Sequence, residues 1–147
     1  IKMSSFDSPQ EQLALTVRHT ASTMLTHPRA LLKPHGITPE QFNIRRILRG
    51  QHGHPLALRD ISARMIDRNS NTSRLVDKLI AKGLVRRETC PSDRRRVDIA
   101  LTNDGDSLTT KLQAMLDANM GSLPSGWTSE NALKALDTLR AWTDTQP

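Results

Sequence analysis

The sequence predicts a mainly α fold with a minor β component: a helical lobe ending in a two-stranded β-hairpin, flanked by further helices at both ends. Three observations predict it. Apolar residues recur at helical spacing through most of the chain and switch to a period of two only after Gly83. Aromatic residues make up 3% with no tyrosine, so the core must come from Leu, Ile, Val, Met and Ala, which suits packed helices better than a sandwich. Helix-start signals, a short polar residue followed by proline or by Glu or Gln, recur along the chain. At 147 residues the chain is expected to fold as one unit with a real core.

Ser8-Pro9-Gln10-Glu11 reads as a helix start, with Ser8 as N-cap, proline at the first helical position and Glu11 closing a capping box. The helix places Leu13, Val17, Ala21, Met24 and Leu25 on one stripe, and is expected to run to about Thr26 because Pro28 disfavours helix at His27. Arg29 to Lys33 adds a short turn before Pro34-His35-Gly36 breaks the chain. Thr38-Pro39-Glu40-Gln41 repeats the start signal, and Phe42, Ile44, Ile47 and Leu48 give the second helix its buried face up to Gly50. A third helix is predicted over Leu58 to Ile66 with Leu58, Ile61, Met65 and Ile66 inward, followed by a tight turn over Asp67 to Asn69.

The fourth helix is predicted from Ser70 to Lys82, and Gly83 suits a left-handed C-terminal position. Leu75, Val76, Leu79 and Ile80 can pack while Asn71, Thr72, Arg74, Asp77 and Lys78 point elsewhere. Next, Val85, Arg87 and Thr89 alternate against Leu84, Arg86 and Glu88, and later Val97, Ile99 and Leu101 against Asp98 and Ala100. Between these runs lies Cys90 to Arg96, so the reading is a two-stranded hairpin with a basic tip. Thr102 caps a fifth helix carrying Leu108, Leu112, Met115 and Leu116 and ending near Gly121. Thr128-Ser129-Glu130 opens a sixth with Leu133, Leu136, Leu139 and Trp142. The terminal helices carry broader apolar stripes than a small core needs, and are expected to meet a second subunit.

The net charge is +6, and its location carries more information than its size. From Arg59 to Arg96 eleven bases stand against five acids, while the remainder has ten of each and is neutral. A polyanionic partner is therefore expected at this segment. The single cysteine excludes an intrachain disulfide and fits a reducing cytosol. No stretch has the layout of a signal peptide or approaches the roughly 20 apolar residues that cross a bilayer, so a cytoplasmic location is expected.

The chain lacks a phosphate-cradling glycine loop, a nucleophile elbow, paired carboxylates in a defined setting and the cysteine–histidine spacing of a metal catalyst. An enzyme is not expected, nor catalytic residues, a metal site or a cofactor. His52-Gly53-His54 offers two imidazoles without further ligands, since His19, His27 and His35 are scattered, and reads as a solvated loop. Cys90 has basic neighbours that lower a thiol pKa, which keeps a redox-responsive regulator as an alternative. A dimeric interaction module or an enzyme without DNA binding is the alternative from a different class.

Two helices joined by a three- to four-residue turn, followed by a hairpin with arginines at its tip, form a winged helix-turn-helix arrangement. A helix fits the major groove of B-DNA and a thin basic ribbon can reach an adjacent minor groove. At this point the sequence resembles the MarR family of bacterial transcriptional regulators. The resemblance rests on Gly36 to Phe42, Leu58 to Ser62, Thr72 to Leu79, Lys82 to Val85, and Asp93-Arg94-Arg95 followed by Leu101-Thr102, in family order. It implies a ligand-responsive repressor acting as a homodimer on a pseudo-palindromic operator. Residues 8–36 and 103–145 would form the dimerisation helices and residues 37–102 the DNA-binding lobe.

The resemblance places Ser70, Asn71, Thr72, Ser73 and Arg74 at the end of the helix that enters the major groove, with Arg74 suited to guanine and Asn71 to adenine or a phosphate. Lys78 would touch the backbone. Asp93 would orient the wing through an ion pair, Arg95 would enter the minor groove, and Arg94 and Arg96 would contact phosphates. A small phenolic or anionic effector is implied near Arg18, His19, Phe42 and Arg45, where it would favour a spacing of the lobes that misfits the operator.

Overall fold

The computed structural model describes residues 8–90, 93–119, 121, 126 and 128–144. Among them the elements are α1 (Pro9–Leu32), a 3-10 turn (Lys33–His35), α2 (Pro39–Arg49), β1 (Leu56–Ala57), α3 (Leu58–Ala63), α4 (Thr72–Ala81), β2 (Val85–Cys90), β3 (Asp93–Leu101), α5 (Asn103–Ala118) and α6 (Ser129–Asp144). The chain divides into two compact units between Leu116 and Asp117. The first holds α1 to α4, the sheet and most of α5, and the second holds α6.

The predicted caps form. The Ser8 hydroxyl accepts from Glu11 N–H at 3.1 Å. Gln41 N–H donates to Thr38 Oγ1 at 3.3 Å while Gln41 Oε1 accepts from Thr38 N–H at 3.2 Å, a reciprocal capping box. The first helix departs from expectation, because α1 continues through Pro28 to Leu32. Proline removes one backbone hydrogen bond but holds a φ that a helix can use, and continuing lowers Leu32 into the core, where it is 1% exposed.

The segment predicted as one helix from Leu58 to Ile66 is shorter. α3 stops at Ala63, and residues 64–71 connect it to α4, so the turn is longer than the expected three to four residues. Met65 is buried outside the helix, whereas Ile66, expected inward, is 80% exposed. The chain has left the helix by this point, and the turn that brings Met65 inward leaves Ile66 facing solvent. The Asp67 side chain then accepts from Asn69 N–H at 3.0 Å, and Asp67 O accepts from Ser70 N–H at 3.2 Å, closing a local turn that competes with helix.

The sheet has three strands, not two, in the antiparallel order β1-β3-β2. β1 pairs Leu56 with Ile99 and Ala57 with Asp98, and β2 pairs with β3 from Val85–Leu101 to Thr89–Val97. β3 is therefore the central strand, and Asp98 and Ala100 are buried along with Ile99 while Val97 is 48% exposed. The simple alternation read from the sequence fails there because Asp98 and Ala100 on one face and Ile99 on the other are all buried.

Ile44, Ile61, Leu79 and Leu112, all fully buried, bring α2, α3, α4 and α5 to one core. α5 is fastened to it through Thr102, whose hydroxyl donates to Gly83 O at 2.7 Å and accepts from Gly105 N–H at 3.0 Å. In contrast, α1 leaves Leu13, Leu15, Val17, Met24 and Leu25 exposed, and Leu32 is its only buried residue. In the second unit, Thr128 and Asn131 cap α6 reciprocally at 2.8 and 3.2 Å, with Leu133 and Leu136 more than half exposed.

Candidate nucleic-acid interface

α4 begins at Thr72, two residues later than expected, because Asn71 takes the N-cap position and its Oδ1 accepts from Arg74 N–H at 3.1 Å. That bond satisfies one of the open N–H groups of the first turn. We expect Asn71→Ala to lower thermal stability by about 1 kcal/mol and Asn71→Ser to restore most of it; equal melting for all three chains would remove the cap from this account.

The other end of α4 is closed as firmly. Gly83, with φ +68°, lets Gly83 N–H reach Ile80 O at 2.8 Å and Leu84 N–H reach Leu79 O at 3.0 Å, the paired bonds of a Schellman motif. Lys82 Nζ donates to Gly36 O, tying this end to the junction of α1 and α2. With Val76 and Leu79 packed beneath it, α4 is held at both ends and along one face.

The opposite face is open. Ser73, Arg74, Asp77 and Lys78 are exposed, and Ser70 is half-buried at the approach. Arg74 and Lys78 have no ion-pair partner among the described residues. Thr72 is placed differently from the expectation: it is 5% exposed, and its hydroxyl meets Ser62 Oγ at 3.3 Å and Ser70 O at 3.4 Å. It joins α3 to α4 from the inside and does not present a group to a ligand.

The β2–β3 wing stands beside this face. Arg87 Nη2 donates to Asp77 Oδ1 at 2.6 Å, linking the first strand of the wing to α4. Arg86 is held on the strand by Glu88, at 2.7 Å from Nε, and by Leu101 O, at 2.6 Å from Nη1. Both interactions were missed in the sequence, since they depend on strand register and on the angle between α4 and β2. The strands keep regular register to Thr89, with a shift before Cys90, which pairs with Asp93. The side chains of Cys90, Asp93, Arg94, Arg95 and Arg96 lie outside the described residues.

The four residues expected near an effector are separated into two environments. Arg18 and His19 are exposed on α1, while Phe42 is 6% and Arg45 0% exposed in the core. Arg45 Nη2 donates to Gly105 O at 2.7 Å, whereas Nε and Nη1 have no partner among the described residues. Burial, only partly offset by Asp106, pulls the Arg45 guanidinium down to about 10. Phe42 and Arg45 are therefore core groups of the single chain; the apolar stripe of the second helix predicted this for Phe42, whereas nothing in the sequence signalled it for Arg45.

A buried helix pair followed by a wing with a basic open face now has counterparts among known proteins. The MarR family model matches residues 37–97. The HTH-type transcriptional regulator TtmR of Methylorubrum extorquens (strain PA1) is 30% identical over 141 residues, covering 94% of this chain and 70% of TtmR. The chain belongs to the MarR family. The transcriptional repressor MprA of Escherichia coli (strain K12) is 28% identical over 101 residues, covering 67% of this chain, and the match spans 57% of MprA's length. A MarR-family transcriptional regulator from Rhodococcus sp. RHA1, solved by X-ray crystallography, has a TM-score of 0.73 at 25% identity, over 92% of this chain and 95% of that one. The matched segment of the MarR model contains α2 to α4, β2 and β3 as far as Val97, so the family signal and the open basic face coincide. Among the described residues no helix is long and apolar enough to cross a membrane.

Proposed function

We propose that this MarR-family chain is a sequence-specific DNA-binding transcriptional regulator, a repressor that acts as a homodimer. The observation that carries the proposal is the open face of α4, where Arg74 and Lys78 stand exposed and without ion-pair partners among the described residues, while the helix is held at both ends and along the opposite face. A guanidinium at the first turn of a rigid helix suits bidentate recognition of guanine in a major groove. Arg94, Arg95 and Arg96, at the tip of the wing, are assigned to the minor groove and its phosphates, with Asp93 orienting them; this part rests on the family resemblance.

The dimer assignment is supported by the exposed Leu13, Leu15, Val17, Met24 and Leu25 of α1 and Leu133 and Leu136 of α6. So much exposed apolar surface on helices that contribute little to the core suits burial against a second copy. A small phenolic or anionic effector is the proposed ligand, with Arg18 and His19 the candidate contacts still accessible on α1.

Equilibrium binding to the DNA flanking the chain's own gene, against a random-sequence duplex at several salt concentrations, tests the reading. Preferred binding that weakens steeply with salt is expected. Salt-insensitive binding, or no preference over the random duplex, would contradict it.

A further inference from the structure

A second basic feature adjoins the reading helix. A cavity of about 510 Å³ is lined by Arg59, Ser62, Ala63 and Arg68. Its walls come from α3 and from the connector that follows, and Ser62 is the residue whose Oγ meets the buried Thr72 hydroxyl at the first position of α4. The notch is therefore built against the N-terminal end of α4, the end that presents Ser73 and Arg74.

Its charge is available. Arg68 is exposed with no ion-pair partner among the described residues. Among the described residues the ion pair of Arg59 is with its neighbour Asp60, at 3.5 Å, with the arginine side chain 82% exposed; an exposed pair of this kind holds an arginine weakly. The local turn made by the Asp67 side chain and carbonyl fixes the connector that carries Arg68. Two guanidinium groups, which can only donate, and a serine hydroxyl, which accepts from Thr72 and keeps its own O–H to donate, surround one concavity, and an oxyanion is the ligand that such a set favours.

We infer that Arg59, Ser62 and Arg68 form a backbone clamp that receives a DNA phosphate beside the major groove entered by α4. The clamp rests on the DNA-binding reading above. It supplies grip and register but no base discrimination, because a phosphate is the same at every step of the duplex. Arg64 lies in the same connector, also exposed, but outside the notch. It separates a specific clamp from a general effect of lost charge.

The test is the dependence of binding on salt for the full chain, on both the gene-flanking DNA and a random-sequence duplex. Arg59→Ala and Arg68→Ala are each expected to lower the slope of log K against log salt by about 0.9, and the double variant by about 1.8, while the ratio of affinities for the two duplexes stays at the parent value. Arg59→Lys and Arg68→Lys keep the charge and should recover most of the slope, which a folding defect would not allow. Arg64→Ala should retain nearly the parent slope. A double alanine variant with the parent slope, or an Arg64→Ala loss equal to the others, overturns the clamp and leaves the function standing. A parent chain that binds neither duplex overturns both.

Discussion

Replacing Gly105 with alanine is expected to destabilise the first unit by about 3 kcal/mol or more. A Cβ at this position would lie 1.9 Å from Leu84 O and 2.9 Å from Leu84 C. Those atoms are backbone, at the point where the chain leaves α4 and enters the wing, so no rotamer change relieves the overlap. Gly105 O also accepts from Thr109 Oγ1 at 2.6 Å and from Arg45 Nη2 at 2.7 Å, while Gly105 N–H is held by Thr102. The residue is pinned on both sides, and overpacking against an immovable wall exceeds the usual cost of an added methyl. Urea unfolding of Gly105→Ala would read the loss, with Gly50→Ala, at φ −63° and with nothing closer than 3.5 Å to its Cβ, as a comparison. A Gly105→Ala chain as stable as the parent would mean that α5 does not pack on Leu84 as described.

The second large effect concerns Arg45, whose replacement should depend on shape more than on charge. Its guanidinium is fully buried, and among the described residues it has one hydrogen bond and two unpartnered nitrogens. Arg45→Met removes the charge and fills much the same volume, and should be neutral or stabilising. Arg45→Ala leaves a cavity and should lie about 2–5 kcal/mol below Arg45→Met. The pH dependence has a definite sign. Folding lowers the pKa from its ordinary value to about 10, so above about pH 10, until the unfolded chain too loses its proton, the unfolded chain binds more protons and parent stability rises with pH. Arg45→Met should lack that rise. If Arg45→Met is far less stable than the parent, the buried charge is a required structural element and the present account of it fails.

These two positions also mark where the sequence stops being informative. The helices, their caps at Ser8, Thr38, Thr102 and Thr128, and the helix–wing order follow from local chemistry within four residues, and they were legible. What was not legible depends on neighbours far along the chain. Gly105 reads as an ordinary helix residue until Leu84 is packed against it, 21 positions away. Arg45 was expected beside an effector, and only the packing of α5, which brings Gly105 O to its guanidinium, shows it as a core group. The third strand is two residues long, Leu56 and Ala57, too short for a periodic signal, yet it makes β3 central and buries Asp98. Thr72 looked like one more polar residue at a helix start, and only the position of Ser62 turns it inward.

The central claim is that the open face of α4 reads sequence while the basic groups around it supply grip. The most direct test is the ratio of affinities for the gene-flanking DNA and a random-sequence duplex, measured for the parent and for Arg74→Ala at one salt concentration. A lost bidentate guanine contact is worth roughly 1–3 kcal/mol, so Arg74→Ala should reduce the ratio by roughly 5- to 150-fold. A ratio unchanged from the parent would contradict the assignment of α4 as the reading helix.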